Sequence, residues 1–276
     1  SLRPGYDKAI LPNPNINMAI EVAQKYQLGA IGFGNWVNVQ DRINYIDSLV
    51  LSLSDMAKVL KFKKDNLGAK QTLKVAFGGR GKARALAHYE PATKIINLTR
   101  YKRAMKEERG KAYAFLRSGG VGSFAHEYGH FLDYYAGEFL YQDSAYLAVT
   151  GGRSISPFRL HTNRTKPPKI RVLCDDFFEA MIWTSGKQPS QNIPFNEQVK
   201  LWTPYYKQLR QLAGDNVYWF RRNELFARYF EQYIQYKLNE QGIKNYFLVA
   251  DSYDSRVYVD KPMLKQLAPI MDKIIA

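Results

Sequence analysis

The sequence predicts a mixed α+β fold, mainly helical, with one small twisted sheet. Three observations carry that expectation. Helical periodicity fills most of the second half of the chain, from "DDFFEAMIW" to the terminal "PMLKQLAPIMDKIIA". Only two short apolar runs, "TLKVAFGG" and "TKIINLTR", read as strands. They lie close together ahead of the later helices, without the strand–helix alternation of a doubly wound sheet.

Taken in order, residues 1–16 are Pro-rich and read as an extended lead-in, followed by a single domain over 17–276. "LGAIGFGNW" is a Gly-rich turn that passes into a helix. Ile43, Ile46, Leu49, Leu53, Met56 and Leu60 mark its apolar face, and Asn66-Leu67-Gly68 is the expected stop. The basic stretch "GGRGKARALAHYEP" is expected to be a loop between the two strands; it departs from the phosphate-loop pattern G-x-x-x-x-G-K-[ST]. "KAYAFLRSGGVG" ends in a glycine turn, and Ser123 is a plausible N-cap for the next helix. Residues 151–171 are polar, basic and Pro-containing, the signature of a long loop. "NEQVKLWTPYYKQLRQLAG" is helical, and "DNVYWFRRNELFARYFEQYIQYKLNEQG" reads as a long amphipathic helix closed by Gly242.

Composition narrows the function classes. A single cysteine, Cys174, excludes an internal disulfide scaffold and favours a reducing cytoplasm, with the thiol packed in a core. No apolar run reaches membrane-spanning length, so no membrane partner is expected. The net charge of +15 favours contact with something acidic, and non-specific DNA contact is one expectation.

The chemistry is concentrated in "SFAHEYGHFLDYYAG". His126 and His130 are four residues apart and so share one helix face, where two imidazoles can bind one Zn²⁺. Glu127 lies between them, placed to act as general base on the attacking water. The chain has only four histidines, which makes this spacing unlikely to arise by chance. A catalytic zinc takes a third protein ligand. No third histidine continues the motif, and His88 and His161 lie in polar sequence, so a later carboxylate is expected. Glu224 in "RRNELFARYFEQY" is the leading candidate, because its Asn-Glu pair resembles the third-ligand helix of thermolysin-like metallopeptidases; Glu231 and Glu179 are rivals. That group carries an Asp four residues after the ligand Glu, where this chain has Arg228. Asp133, three residues past His130, is the candidate for the supporting carboxylate. His88 or Tyr89 is a candidate substrate contact, and Tyr253, Tyr258 and His161 are candidate oxyanion donors.

Four segments together carry a family resemblance: "GFGNWVNVQDR" (32–42), "VAFGGRGKARALAHYEPATKIINLTR" (75–100), "GSFAHEYGHFLDYY" (122–135) and "NELFARYFEQYI" (223–234). With "NYFLV" before a terminal helix, the chain resembles the first family of large polyvalent protein-associated domains over residues 30–275. These are zincin-like modules of phage and conjugative-element proteins. The resemblance implies a zincin-like metallopeptidase fold, His126 and His130 on zinc, Glu127 as base and Glu224 on the second motif helix. It also implies a protein or peptide substrate and a setting in which the protein travels with mobile DNA into a host cell.

Overall fold

The computed structural model describes residues 16–35, 37, 39–78, 87–98, 122–141, 148–160 and 166–276. The lead-in up to residue 15, most of the basic loop 78–86, "KAYAFLRSGGV" and His161 lie outside the described residues. The fold is mixed α+β, with one small four-stranded sheet, as the sequence predicts. The chain divides into two compact units, one of Ser1–Phe131 and Ile234–Asp251, the other of Leu132–Tyr233 and Ser252–Ala276.

The first unit begins with α1 (Ile16–Tyr26), β1 (Ala30–Phe33) and α2 (Val39–Leu60). It continues with β2 (Lys74–Phe77), β3 (Ala87–Glu90) and β4 (Ile95–Leu98). The sheet order is β1-β2-β4-β3. β1 and β4 each pair in parallel with β2, and the outer strand β3 pairs antiparallel with β4. Two of the four strands, β2 and β4, match the apolar runs. β1 and β3 correct the expectation of a glycine turn and a loop. Ala30 and Gly32 of β1 are exposed, and β3 is "AHYE", so neither carries a continuous apolar signal; each takes its register from a neighbour. α2 also stops earlier than expected, with Lys61 in the left-handed region at φ 56° and a separate 3-10 turn over Lys64–Asn66.

An aromatic cluster holds this unit together. Phe77 of β2 stacks on Phe33 of β1 at 5.4 Å and on Tyr45 of α2 at 4.5 Å. Phe247 lies 6.5 Å from Phe77 and 6.3 Å from Phe124, which opens α3 (Phe124–Ala136). Burying rings of this size is a major apolar contribution to stability.

The second unit is helical: the end of α3 with a π-helical turn (Gly137–Tyr141), α4 (Lys169–Ile182), α5 (Phe195–Leu201) and α6 (Pro204–Ala213) precede a 3-10 turn (Val217–Phe220). α7 (Arg222–Glu240), as far as Tyr233, and α8 (Lys261–Ile275) complete it. Trp202 and Thr203 separate α5 from α6, where the sequence read a single helical stretch; the Thr203 hydroxyl accepts from the Tyr206 N–H, and Pro204 opens α6. α8 starts from Asp260, whose carboxylate accepts from the Met263 N–H at 2.9 Å, and it packs on α4. Cys174 is fully buried beside Ala136 and Val149, and burial pushes its thiol up, which makes it the core residue expected. Among the described residues no helix is long and apolar enough to cross a membrane.

Candidate metal centre

α3 presents its histidines because its other face is occupied. Phe124, Ala125, Tyr128 and Phe131 are buried, and the Tyr128 hydroxyl donates to the Leu67 carbonyl at 2.8 Å. Ser123 stands at the cap position, its carbonyl accepting from the Glu127 N–H at 3.2 Å. The Ala125 N–H, left without a partner inside the helix, donates to the Leu248 carbonyl at 2.9 Å. Before the cap, Gly122 turns the chain with φ +86°, a conformation that favours glycine. One helical turn apart, the rings of His126 and His130 have centroids 4.9 Å apart and lie at 79° to one another. His130 and Glu127 are buried and His126 is half-buried.

Glu224 lies in the first turn of α7 and is buried. His126, His130 and Glu224 each offer one ligand atom, and these atoms all lie within 4.8 Å of one another. Two imidazole nitrogens and one carboxylate oxygen form a donor set that suits zinc with an open fourth position. The rival carboxylates are engaged elsewhere. Glu231 accepts from the Tyr258 hydroxyl at 2.6 Å. Glu179 accepts from Arg159 at 2.6 Å, Lys187 at 3.3 Å and the Gln188 N–H at 3.2 Å. Burial alone would raise Glu179, but these donors hold it below the usual carboxylate value.

The remaining candidates fall as follows. Asp133 is buried, and both of its carboxylate oxygens accept from Thr150, from the N–H at 2.8 Å and the hydroxyl at 2.7 Å. The edge of Tyr89 meets Phe131 of α3 with centroids 5.9 Å apart. Side chains alternate along a strand, so His88 lies on the opposite sheet face, directly across from Asn97. Tyr253 packs on Tyr258 with centroids 4.5 Å apart, and burial, followed by the Glu231 charge, raises the Tyr258 hydroxyl. Arg228 is buried, donates to the Trp219 carbonyl and lies 5.7 Å from the Trp219 ring centroid; it braces the 3-10 turn ahead of α7.

Tyr134, whose hydroxyl is influenced by Glu224, was not picked out from the sequence. Tyr134 follows His130 by one turn. Its hydroxyl is raised by burial first and then by Asp133, while a hydrogen bond with Asn223 and the charge of Arg153 pull it down and Glu224 pushes it up. The spacing His126–His130–Tyr134 was the readable signal. Nothing in the sequence pointed to Asn223 or Arg153 as its neighbours.

A mixed α+β chain with a His-His-Glu triad on two helices defines the class: a protein with a candidate metal centre. Residues 211–276 match the family model of large polyvalent protein-associated domain 1. The matched span includes α7 with Glu224, and it supports the family name that the motifs suggest. No curated protein and no solved structure matches the chain.

Proposed function

We propose that this chain is a zincin-like, zinc-dependent metallopeptidase. The observation that carries the reading is the convergence of His126, His130 and Glu224 within 4.8 Å, with Glu127 between the two histidines in sequence. Zinc held by these three residues would polarise the scissile carbonyl and lower the pKa of the attacking water to about 7. Glu127 takes the proton from that water and passes it to the leaving amine. His126 and His130 would serve as neutral imidazole ligands. Among the described residues β3 is the outermost strand, and an extended peptide would add to its backbone edge, with Tyr89 on the α3 side. The genetic setting in this reading is a phage or conjugative element, as the motif resemblance implies.

The direct test is Glu127→Gln, assayed on a peptide library by mass spectrometry alongside elemental analysis. The variant is expected to retain zinc and to lose about 10²–10⁴-fold in cleavage rate. Full activity in the variant would overturn the assignment of the base. A second reading, a DNA-associated zincin-fold module without peptidase activity, is favoured by the net charge of +15. It predicts steeply salt-dependent DNA binding with no cleavage of any library peptide.

A further inference from the structure

The segment 148–158 is bonded both to the helix of the histidines, at Asp133, and to the helix of the glutamate, at Arg222 and Asn223, all residues of the second unit. At one end, Asp133 of α3 takes both Thr150 donors, and its backbone carbonyl accepts from the Val149 N–H at 3.1 Å. At the other end, the first two N–H groups of α7, which no helical carbonyl can satisfy, are taken up. Arg222 N–H donates to the Ser154 carbonyl at 2.9 Å and Asn223 N–H to the Gly152 carbonyl at 3.0 Å. The next residue is Glu224.

Two buried arginines lock this segment. Arg171 of α4 donates to the Val149 carbonyl at 2.7 Å, and Arg222 donates to the Phe158 carbonyl at 3.0 Å. Asp175 of α4 pairs with both, at 2.5 Å from Arg222 and 3.4 Å from Arg171, and the Arg222 guanidinium lies 4.2 Å from the Phe178 ring centroid. Gly151 permits the close fold: its φ is +99°, and a Cβ there would stand 2.2 Å from Leu160 Cδ1.

We infer that Asp133, Thr150 and Arg222 are positioning residues for Glu224, holding the first turn of α7 through the strap 148–158. The inference rests on the metal-site reading above and assigns the support of its third ligand to a strap rather than to a neighbour of the histidines. A weakened strap leaves both imidazoles in place and loosens only the carboxylate. Partners that orient a metal ligand typically change affinity by about 10–100-fold.

The test is a double-mutant cycle on zinc affinity, measured by competition with a chromogenic chelator. Asp175→Ala leaves two buried cations short of a partner and risks misfolding, so the working variant is Thr150→Val, with thermal melts to verify folding. Thr150→Val is expected to weaken zinc about tenfold, at the low end of that range. Thr150→Ser is expected to restore most of the affinity. In a Glu224→Gln background, Thr150→Val is expected to have no further effect. Wild-type affinity in folded Thr150→Val, or an equal loss in both backgrounds, overturns the positioning role while leaving the triad intact. If the wild type binds no zinc, or Glu224→Gln binds as tightly as wild type, the triad reading falls and the inference falls with it.

Discussion

α3 and α7 carry the candidate ligands, and only α7 adds a buried polar network to its apolar packing. α3 is held by apolar packing: Phe124, Tyr128 and Phe131 are buried, and Phe124 joins the ring cluster of Phe247 and Phe77. α7 also buries Leu225 and Phe226 beside its ligand, and adds buried polar groups: Arg222 and Arg171 pair with Asp175 and reach the strap carbonyls, and Asp133 holds Thr150. The contrast shows that a pair of ligands on one helix needs only the helical period and a buried back face. A single ligand from a distant segment needs a network that fixes where its helix begins.

Each kind of support can be broken separately. Asp175→Ala strands two buried guanidiniums and is expected to cost about 3–5 kcal/mol, read as a fall in the denaturant midpoint. Phe124→Ala removes a ring from the apolar side and is expected to cost a similar 3–5 kcal/mol or so through the cavity it leaves. Asp175→Asn sharpens the contrast, because it keeps the shape while removing the charge. If the α7 side rests on charge, this variant is expected to be clearly destabilised, whereas Phe124→Leu on the apolar side is expected to be milder than Phe124→Ala.

Smaller effects separate the ligand from its rivals. Glu179→Gln is expected to cost about 1–2 kcal/mol at neutral pH, a modest figure because Lys187 is exposed. The sign follows from the lowered folded-state value: the ionised carboxylate contributes fully above its ordinary value of 4.5. That contribution is lost as pH falls through the lowered value, so the gap between variant and wild type is expected to close in acid. A gap that stays constant from neutral pH down to acid would contradict the ion-pair account of Glu179. Smallest is Tyr128→Phe, which leaves the Leu67 carbonyl without its donor and is expected to cost about 1 kcal/mol.

What could be read from the sequence follows the range of each interaction. The His126–Glu127–His130 spacing and the Asn-Glu pair at the head of α7 are local, and each could be read without the fold. The loop character of 151–160 and 166–168 was also readable, but its role was not, and α4 begins at Lys169, inside the stretch read as loop. The strap works through backbone N–H and carbonyl groups, which leave no residue signature, and through Asp133–Thr150, a pair seventeen residues apart. β1 and β3 were missed for a related reason: four-residue strands with exposed or polar positions are defined by what they pair with. The departure at Arg228 was visible as an odd residue, and its place under the 3-10 turn explains it only in three dimensions.

The central claim is that one metal ion is held by His126, His130 and Glu224. The most direct test is an anomalous difference map from crystals of the zinc-loaded protein at the zinc edge. The account predicts one peak per chain, about 2.0–2.2 Å from one nitrogen of each histidine and from a Glu224 oxygen, with no fourth protein ligand. No peak at these residues, or a peak held by Glu231 or Glu179 in place of Glu224, would contradict it.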